Sequence, residues 1–305
     1  MDYVLETQDL TKAYAGVPVV NGVSMRIGRG EIYGFVGRNG AGKTTLMRLI
    51  GGLIAKSGGA FSLFGCPDSD ARIDGVRRKV GAIIEAPAVY PAFTAYQNLK
   101  MQCLACGTEQ DDRAIKEALD LVGLGGTGDK KAKNFSLGMR QRLGIASALV
   151  TRPEFLILDE PVNGLDPQGI VEMRELLKRL NRERGITIFI SSHILGELAK
   201  LATSFGFIER GVLLKELSAA QLEQACRKSM ILHMNGIVRF ADAMNALRIA
   251  EYRVLSQTSA EVFADVSVSA LAFALKDAGL ELLRVTENDV DLEGYFMNMI
   301  GGANR

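Results

Sequence analysis

No stretch of this 305-residue chain reaches about 18 uncharged apolar residues, so it does not cross a membrane by itself. Charge of one sign is also lacking: 36 Lys and Arg stand against 35 Asp and Glu, a net of +1. A protein whose main task is coating nucleic acid carries a basic excess for the phosphates, so that class is set aside. The opening MDYVLETQDLTKAY carries acids and no apolar core, and no secretory leader is expected there. Low-complexity tracts and repeats of about 20–50 residues are absent. Cysteine is sparse, at Cys66, Cys103, Cys106 and Cys226. Cys103 and Cys106 form a C-x-x-C, but a zinc site wants a second pair or nearby histidines, and the chain has only His193 and His233. KMQCLACG reads as helix, so both thiols are expected to face a core and no metal is assigned to them. With 48% hydrophobic and 23% charged residues, the composition fits a soluble cytoplasmic protein of one large domain or two.

The chain alternates strand and helix patterns. VLETQDL and PVVNGVSMRI read as short strands and EIYGFVG as a buried one. A helical pattern opens at Ala41 and runs through KTTLMRLIGGL, and the segment from about Phe93 to Val150 is mostly helical. FLILDE and ITIFISS are continuous apolar strands of the kind found in a parallel sheet covered on both faces. A helix through VEMRELLKRLNRE lies between them, and GELAKLATSF reads as a helix after the second. The class is therefore α/β with a largely parallel sheet. Beyond Ser229 the order becomes β-α-β-β-α-β, which fits a small ferredoxin-like α+β unit, closed by the amphipathic DLEGYFMNMI. Residues 229–305 hold six Lys and Arg against ten Asp and Glu, a net of −4, whereas the rest is +5. A domain boundary is expected there, giving 1–228 and 229–305.

Gly37-Arg38-Asn39-Gly40-Ala41-Gly42-Lys43-Thr44 matches G-x4-G-K-[ST], and Thr45 follows. Glycines let successive backbone N–H groups curl around phosphates where a Cβ would obstruct, and the helix behind adds the positive end of its dipole. Lys43 supplies a mobile charge, and the Thr44 hydroxyl is a hard ligand for Mg²⁺. The strand before and the helix after are what this mechanism requires. An ordinary Gly-rich turn would not demand them.

FLILDE ends in Asp159 and Glu160, at the carboxyl end of a buried strand and so beside a ligand crevice. Asp159 can hold Mg²⁺ and Glu160 can polarise an attacking water; without a phosphate loop the pair could equally cap a neighbouring helix. Ser136 is a good N-cap for LGMRQRLGIASALV, so a second helix N-terminus is aimed outward.

The order GRNGAGKTT, FSLGMRQRL, FLILDEPVNGLDP and ISSH resembles the ATP-binding subunits of ABC transporters, over about residues 1–220. FSLGM is similar to that family's signature, with Ser136 and Gly138 matching and Leu137 and Met139 departing from its usual LSGGQ form. The resemblance implies a RecA-like parallel sheet with N-terminal antiparallel strands and a helical insert over about 93–150. It implies ATP and Mg²⁺, and two subunits joined head-to-tail, with ATP between one phosphate loop and the partner's signature. Further positions take their roles from the same resemblance. Tyr14 matches the aromatic that stacks on adenine, unless it is a stray strand Tyr. Asp166 matches the loop that crosses the dimer interface, and His193 matches the switch histidine that reaches the γ-phosphate.

The departure is Glu85, in IIEAPAVYP, where the family has glutamine. This resembles the lantibiotic-immunity and bacitracin-resistance branch and would place a full negative charge near the γ-phosphate as a Mg²⁺ ligand. With a shifted alignment, Glu85 is only a surface acid. The implied function is an ATPase engine for a membrane exporter of a peptide antibiotic, with Glu160, His193 and Glu85 in catalysis. Its implied partners are a second copy and a separate permease, on the inner face of the cell membrane. The rival is an ATPase of the same type in a ribosome- or DNA-associated role, which usually shows two heads in one chain or a long coiled coil. The C-terminal unit reads as a sensor, a dimerisation extension or a stabilising cap, with extra packing favoured.

Overall fold

The computed structural model describes residues 2–108, 111–264, 266–288 and 292–303, and the chain divides between Ala219 and Ala220 into two compact units. The first unit begins with β1 (Tyr3–Tyr14), β2 (Val17–Val23), β3 (Arg26–Gly28) and β4 (Ile32–Val36), followed by α1 (Lys43–Ile50). Next come β5 (Gly58–Leu63), β6 (Cys66–Pro67), α2 (Ile73–Arg77) and β7 (Val80–Ile83). Three helices follow: α3 (Ala95–Cys106), α4 (Asp112–Leu121) and α5 (Leu137–Leu149). The unit ends with β8 (Phe155–Asp159), α6 (Pro167–Arg184), β9 (Thr187–Ser192), α7 (Leu195–Ala199), β10 (Ser204–Glu209) and β11 (Val212–Ser218).

Two sheets result. The larger has the order β11-β10-β4-β9-β8-β7, with its inner pairings parallel and β11 antiparallel at the edge. The smaller is antiparallel, β2-β1-β5-β6, with β3 also on β1. Every residue of β4, β8 and β9 is buried, which is why their sequences run apolar without alternation. From β4 the chain goes to the far edge at β7, returns through β8 and β9, and then places β10 on the other flank of β4. This reversal opens a crevice at the carboxyl end of β4, where an α/β sheet holds its ligands. The polar members Asp159, Ser191 and Ser192 stand at that same end of β8 and β9, while the aromatic core lies deeper. The rings of Phe35 and Phe189 are 5.3 Å apart, and Tyr33 meets Phe189 at 5.8 Å. The Tyr33 hydroxyl donates to Glu216 at 2.6 Å, and its burial raises the phenol well above its ordinary range.

The helical segment is fixed by caps. Thr94 and Gln97 form a reciprocal capping box on α3, and Ser136 Oγ accepts from Met139 N–H at 3.2 Å on α5, as expected of Ser136. Four local readings need correction. α1 starts at Lys43 rather than Ala41, because Gly42 at φ 106 is its cap, and it stops before Gly51–Gly52 instead of running to Leu53. The helix read over GELAKLATSF ends at Ala199; Ser204 and Phe205 already belong to β10, where Phe205, Phe207 and Ile208 are fully buried. Strands β5 and β6 were not anticipated at all. Cys103 faces the core as expected, but Cys106, the last residue of α3, is half-buried and accepts from Gln102 Nε2 at 3.3 Å.

α8 (Ala219–Ala225) begins at the division, upstream of the change in charge and topology at Ser229. The second unit then has β12 (Ser229–Met234), α9 (Phe240–Ala246), β13 (Tyr252–Ser256), β14 (Ser259–Val262), α10 (Val268–Asp277), β15 (Leu282–Asn288) and α11 (Leu292–Ala303). Its sheet is antiparallel throughout, in the order β13-β14-β12-β15. In such an arrangement each parallel pair of a βαβ half is split by a strand of the other half, the ferredoxin-like topology. Leu232, Phe240, Met244, Val262, Leu271 and Leu275 form its core. On α11 the buried Leu292, Phe296 and Ile300 recur every four residues, the spacing of one helix face.

Candidate functional site

The loop between β4 and α1 is built for backbone to approach a ligand. Gly40 stands at φ 80 and Gly42 at φ 106, and a Cβ on Gly42 would lie 2.6 Å from the Val19 carbonyl oxygen. The loop is pinned from beneath: Gly211 N–H donates to Ala41 O at 2.9 Å, and Asn21 N–H donates to Gly211 O at 2.8 Å. The turn between β10 and β11 thus clamps the loop to β2. Arg38, Asn39 and Gly40 remain exposed, Thr44 and Thr45 are half-buried, and Lys43 is only 6% exposed.

The Lys43 ammonium donates to Gly37 O at 2.7 Å and Arg38 O at 3.2 Å, inside the curl of the loop, and lies 3.5 Å from Glu160 Oε1. Thr44 Oγ1 donates to Asp159 Oδ2 at 2.7 Å. Asp159 Oδ1 accepts from Ser191 Oγ at 2.6 Å, and Ser191 Oγ in turn accepts from Glu160 N–H at 2.9 Å. A fully buried serine therefore sets both acids. Asp159 and Ser191 are direct neighbours in the β8–β9 register, a signal that strand pairing supplies and motif reading does not. Glu160 Oε2 takes two contacts from His193, the backbone N–H at 3.1 Å and Nδ1 at 2.6 Å. Where the Glu160 carboxylate accepts at that contact, Nδ1 carries a proton. Glu160 stands at φ 50, a left-handed conformation unfavourable for a residue of this size.

This group can bind an anionic oxygen cluster on N–H donors and a buried ammonium, with a carboxylate beside it to take a proton. Among the described residues no cluster of three His, Cys, Asp or Glu is placed to hold a metal ion. One hydroxyl and one carboxylate, Thr44 and Asp159, nevertheless suit a hard cation that also takes phosphate oxygens, as Mg²⁺ does.

The other expected residues lie apart from this cluster in different ways. Tyr14 is 46% exposed at the end of β1, with Lys12 Nζ 4.9 Å from its ring centroid. Ser136 is exposed at the N-terminal end of α5, and Gly138 follows it. The neighbouring Leu137 approaches the loop after Glu160 so closely that a Cβ on Gly164 would lie 2.9 Å from Leu137 Cδ2. In that loop Asp166 Oδ1 accepts from Gly169 N–H at 2.8 Å and caps α6. Glu85 does not join Thr44 and Asp159. It stands at φ 70, with a mostly exposed carboxylate paired to the Arg48 guanidinium of α1.

Residues 20–163 match the ABC transporter family. The chain is 40% identical over 305 residues to the bacitracin transport ATP-binding protein BcrA of Bacillus licheniformis, covering 99% of each chain. It is 43% identical over 213 residues to the lantibiotic transport ATP-binding protein SrtF of Streptococcus pyogenes, covering 70% of this chain and 90% of that one. Among solved structures, cbiO1 from Clostridium perfringens, part of the ABC transporter complex cbiONQ, matches with a TM-score of 0.66 at 26% identity, over 82% of this chain and 100% of that one.

Proposed function

Because the chain belongs to the ABC transporters as an ATP-binding subunit, it is a transport ATPase, and we propose that it powers export of, or immunity to, a peptide antibiotic. The observation that carries the mechanism is the junction of Glu160 with Lys43 and His193 at the mouth of the phosphate loop. Residues Gly37, Arg38, Asn39, Gly40, Ala41, Gly42, Lys43, Thr44 and Thr45 wrap the phosphates, and Tyr14 stacks on the adenine. The Lys43 ammonium exchanges the Gly37 and Arg38 carbonyls for phosphate oxygens. Water attacks the γ-phosphorus, Glu160 takes its proton, and ADP and phosphate leave. His193 orients Glu160, and Ser191 fixes the height of both acids. Thr44 and Asp159 are the residues that would hold Mg²⁺, which when bound neutralises phosphate charge, and Glu85 would join them only on leaving Arg48.

Ser136 and Gly138 meet the γ-phosphate held by a second copy, with Asp166 crossing between the two. The exposed placement of Ser136 at the N-terminal end of α5 supports this reading, because an outward helix end is free to meet an anion held elsewhere. The partner is a homodimer mate and, beyond it, a separate permease; nucleic acid is not a partner. No helix among the described residues is long and apolar enough to cross a membrane; the proposed location is the inner face of the membrane, reached through the permease. The names of the relatives, bacitracin and lantibiotic transport, support the choice of cargo.

Glu160→Gln tests this. The variant should bind ATP, lose at least about 100-fold in turnover, and accumulate as a dimer in light scattering. A monomer at saturating ATP and Mg²⁺ would overturn the head-to-tail mechanism. Expressed with its permease, the native chain should raise tolerance to bacitracin or a lantibiotic and the variant should not. Unchanged tolerance to both would remove the antibiotic and leave the ATPase.

A further inference from the structure

Arg48 is left over once the nucleotide site is accounted for, and it is the residue that the Glu85 carboxylate is paired with. Ile84 packs against the end of α1, with its Cδ1 3.6 Å from where a Cβ on Gly51 would stand, so the chain leaving β7 is held beside that helix. The left-handed backbone at Glu85, φ 70, then turns its carboxylate back onto Arg48. Arg48 lies four residues after Thr44 on α1, hence on the same helix face and about 6 Å further along the axis. The residue that holds the Glu85 carboxylate therefore stands one helical turn along the same face from the residue whose hydroxyl would hold the cation.

We propose that Arg48 is a positioning residue. It holds the Glu85 carboxylate, and cancels its charge, until a divalent cation arrives with the triphosphate, and so it sets how far nucleotide binding depends on that cation. The proposal rests on reading Glu85 as a member of the nucleotide site. The pair suits the task because it is exchangeable: the side chains are 34% and 61% exposed, and an ion pair so open to water holds weakly. A glutamine in place of Glu85 would need no such partner, since an amide brings no charge to cancel. Without Arg48, the bare carboxylate would repel a metal-free triphosphate, whereas the metal-bound form would supply its own cation.

The test is equilibrium binding of a fluorescent ATP analogue, in EDTA and in Mg²⁺, to the full chain and to Arg48→Gln, Glu85→Gln and the double variant. Arg48→Gln should weaken binding in EDTA about five- to tenfold and change it little in Mg²⁺. The double variant should bind as Glu85→Gln does, because the charge to be cancelled is gone. Arg48→Lys should keep native behaviour, and thermal melting of each variant separates binding from folding. If Glu85→Gln alters the Mg²⁺ dependence but the Arg48 effect is nil, or equal in both backgrounds, Glu85 belongs to the site and the role of Arg48 is overturned. If neither substitution alters it, the proposal falls together with the reading of Glu85, while the Glu160→Gln outcome is untouched.

Discussion

At the N-terminus of α1 the chain supplies a cap with a left-handed backbone, a buried lysine aimed back into the loop, and two acids at the adjoining strand end. At the N-terminus of α5 it supplies a serine cap and little else, on an exposed surface. Both ends carry the same partial positive charge, although at α5 the Ser136 side chain already takes the Met139 N–H. The difference is that the first is surrounded by strands from its own fold, whereas the second projects from the helical segment. An anion cradle that is closed from behind can bind alone; one that faces outward is free to complete a site whose other half lies on another molecule, as proposed for α5.

Gly42→Ala should have the largest effect, because it strikes the closed end. The methyl group meets the Val19 carbonyl at 2.6 Å, and φ 106 is unfavourable to alanine, a cost of at least about 2 kcal/mol. Calorimetric ATP binding should fall more than about 100-fold and the melting temperature should drop. Retained binding would mean that the loop is less tightly built than it looks. Ser136→Ala is the intermediate case. Losing the cap should cost about 1 kcal/mol of stability, with ATP affinity of the isolated subunit unchanged and dimer-dependent hydrolysis down about tenfold or more. A parallel loss of monomer affinity would erase the contrast between the two ends.

Glu154→Gln, at the opposite edge of β8, should have the smallest effect and mark the baseline. Arg29 at 2.7 Å and Lys79 at 2.9 Å hold the Glu154 carboxyl below its ordinary 4.5. A depressed carboxyl adds stability above the unfolded value and loses it as pH falls through the folded one. Because the side chain is 39% exposed, screening leaves about 0.5 kcal/mol. Urea midpoints should differ slightly at pH 7 and converge as the pH falls below the ordinary carboxyl range, with ATP turnover unaltered.

Much of the closed end was legible in the sequence, because each of its parts sits on a short contiguous motif. EIYGFVG followed by GRNGAGKTT announces strand, loop and helix, and the uninterrupted FLILDE places its acids at a strand end. What could not be read depends on which strands become neighbours. Ser191 was one of two serines in ISSH until the register set it opposite Asp159. The contact of Glu85 with Arg48 joins a loop to a helix 37 positions away and leaves no local signature. The reading of GELAKLATSF as one helix failed because its last residues pair as a strand with β4, and pairing outweighed a weak local pattern. In the second unit the alternation of strands and helices was legible, and the ladders close in the order of the ferredoxin-like unit that it fits.

The backbone at Glu160 has a consequence for anyone wishing to make this subunit hardier. Its positive φ is a place where glycine would sit more comfortably than a long side chain, so a search for thermal tolerance would favour removing the acid. If Glu160 has the role proposed for it, durability and turnover are set against each other at a single position, and a toughened version of this engine would be one that no longer runs.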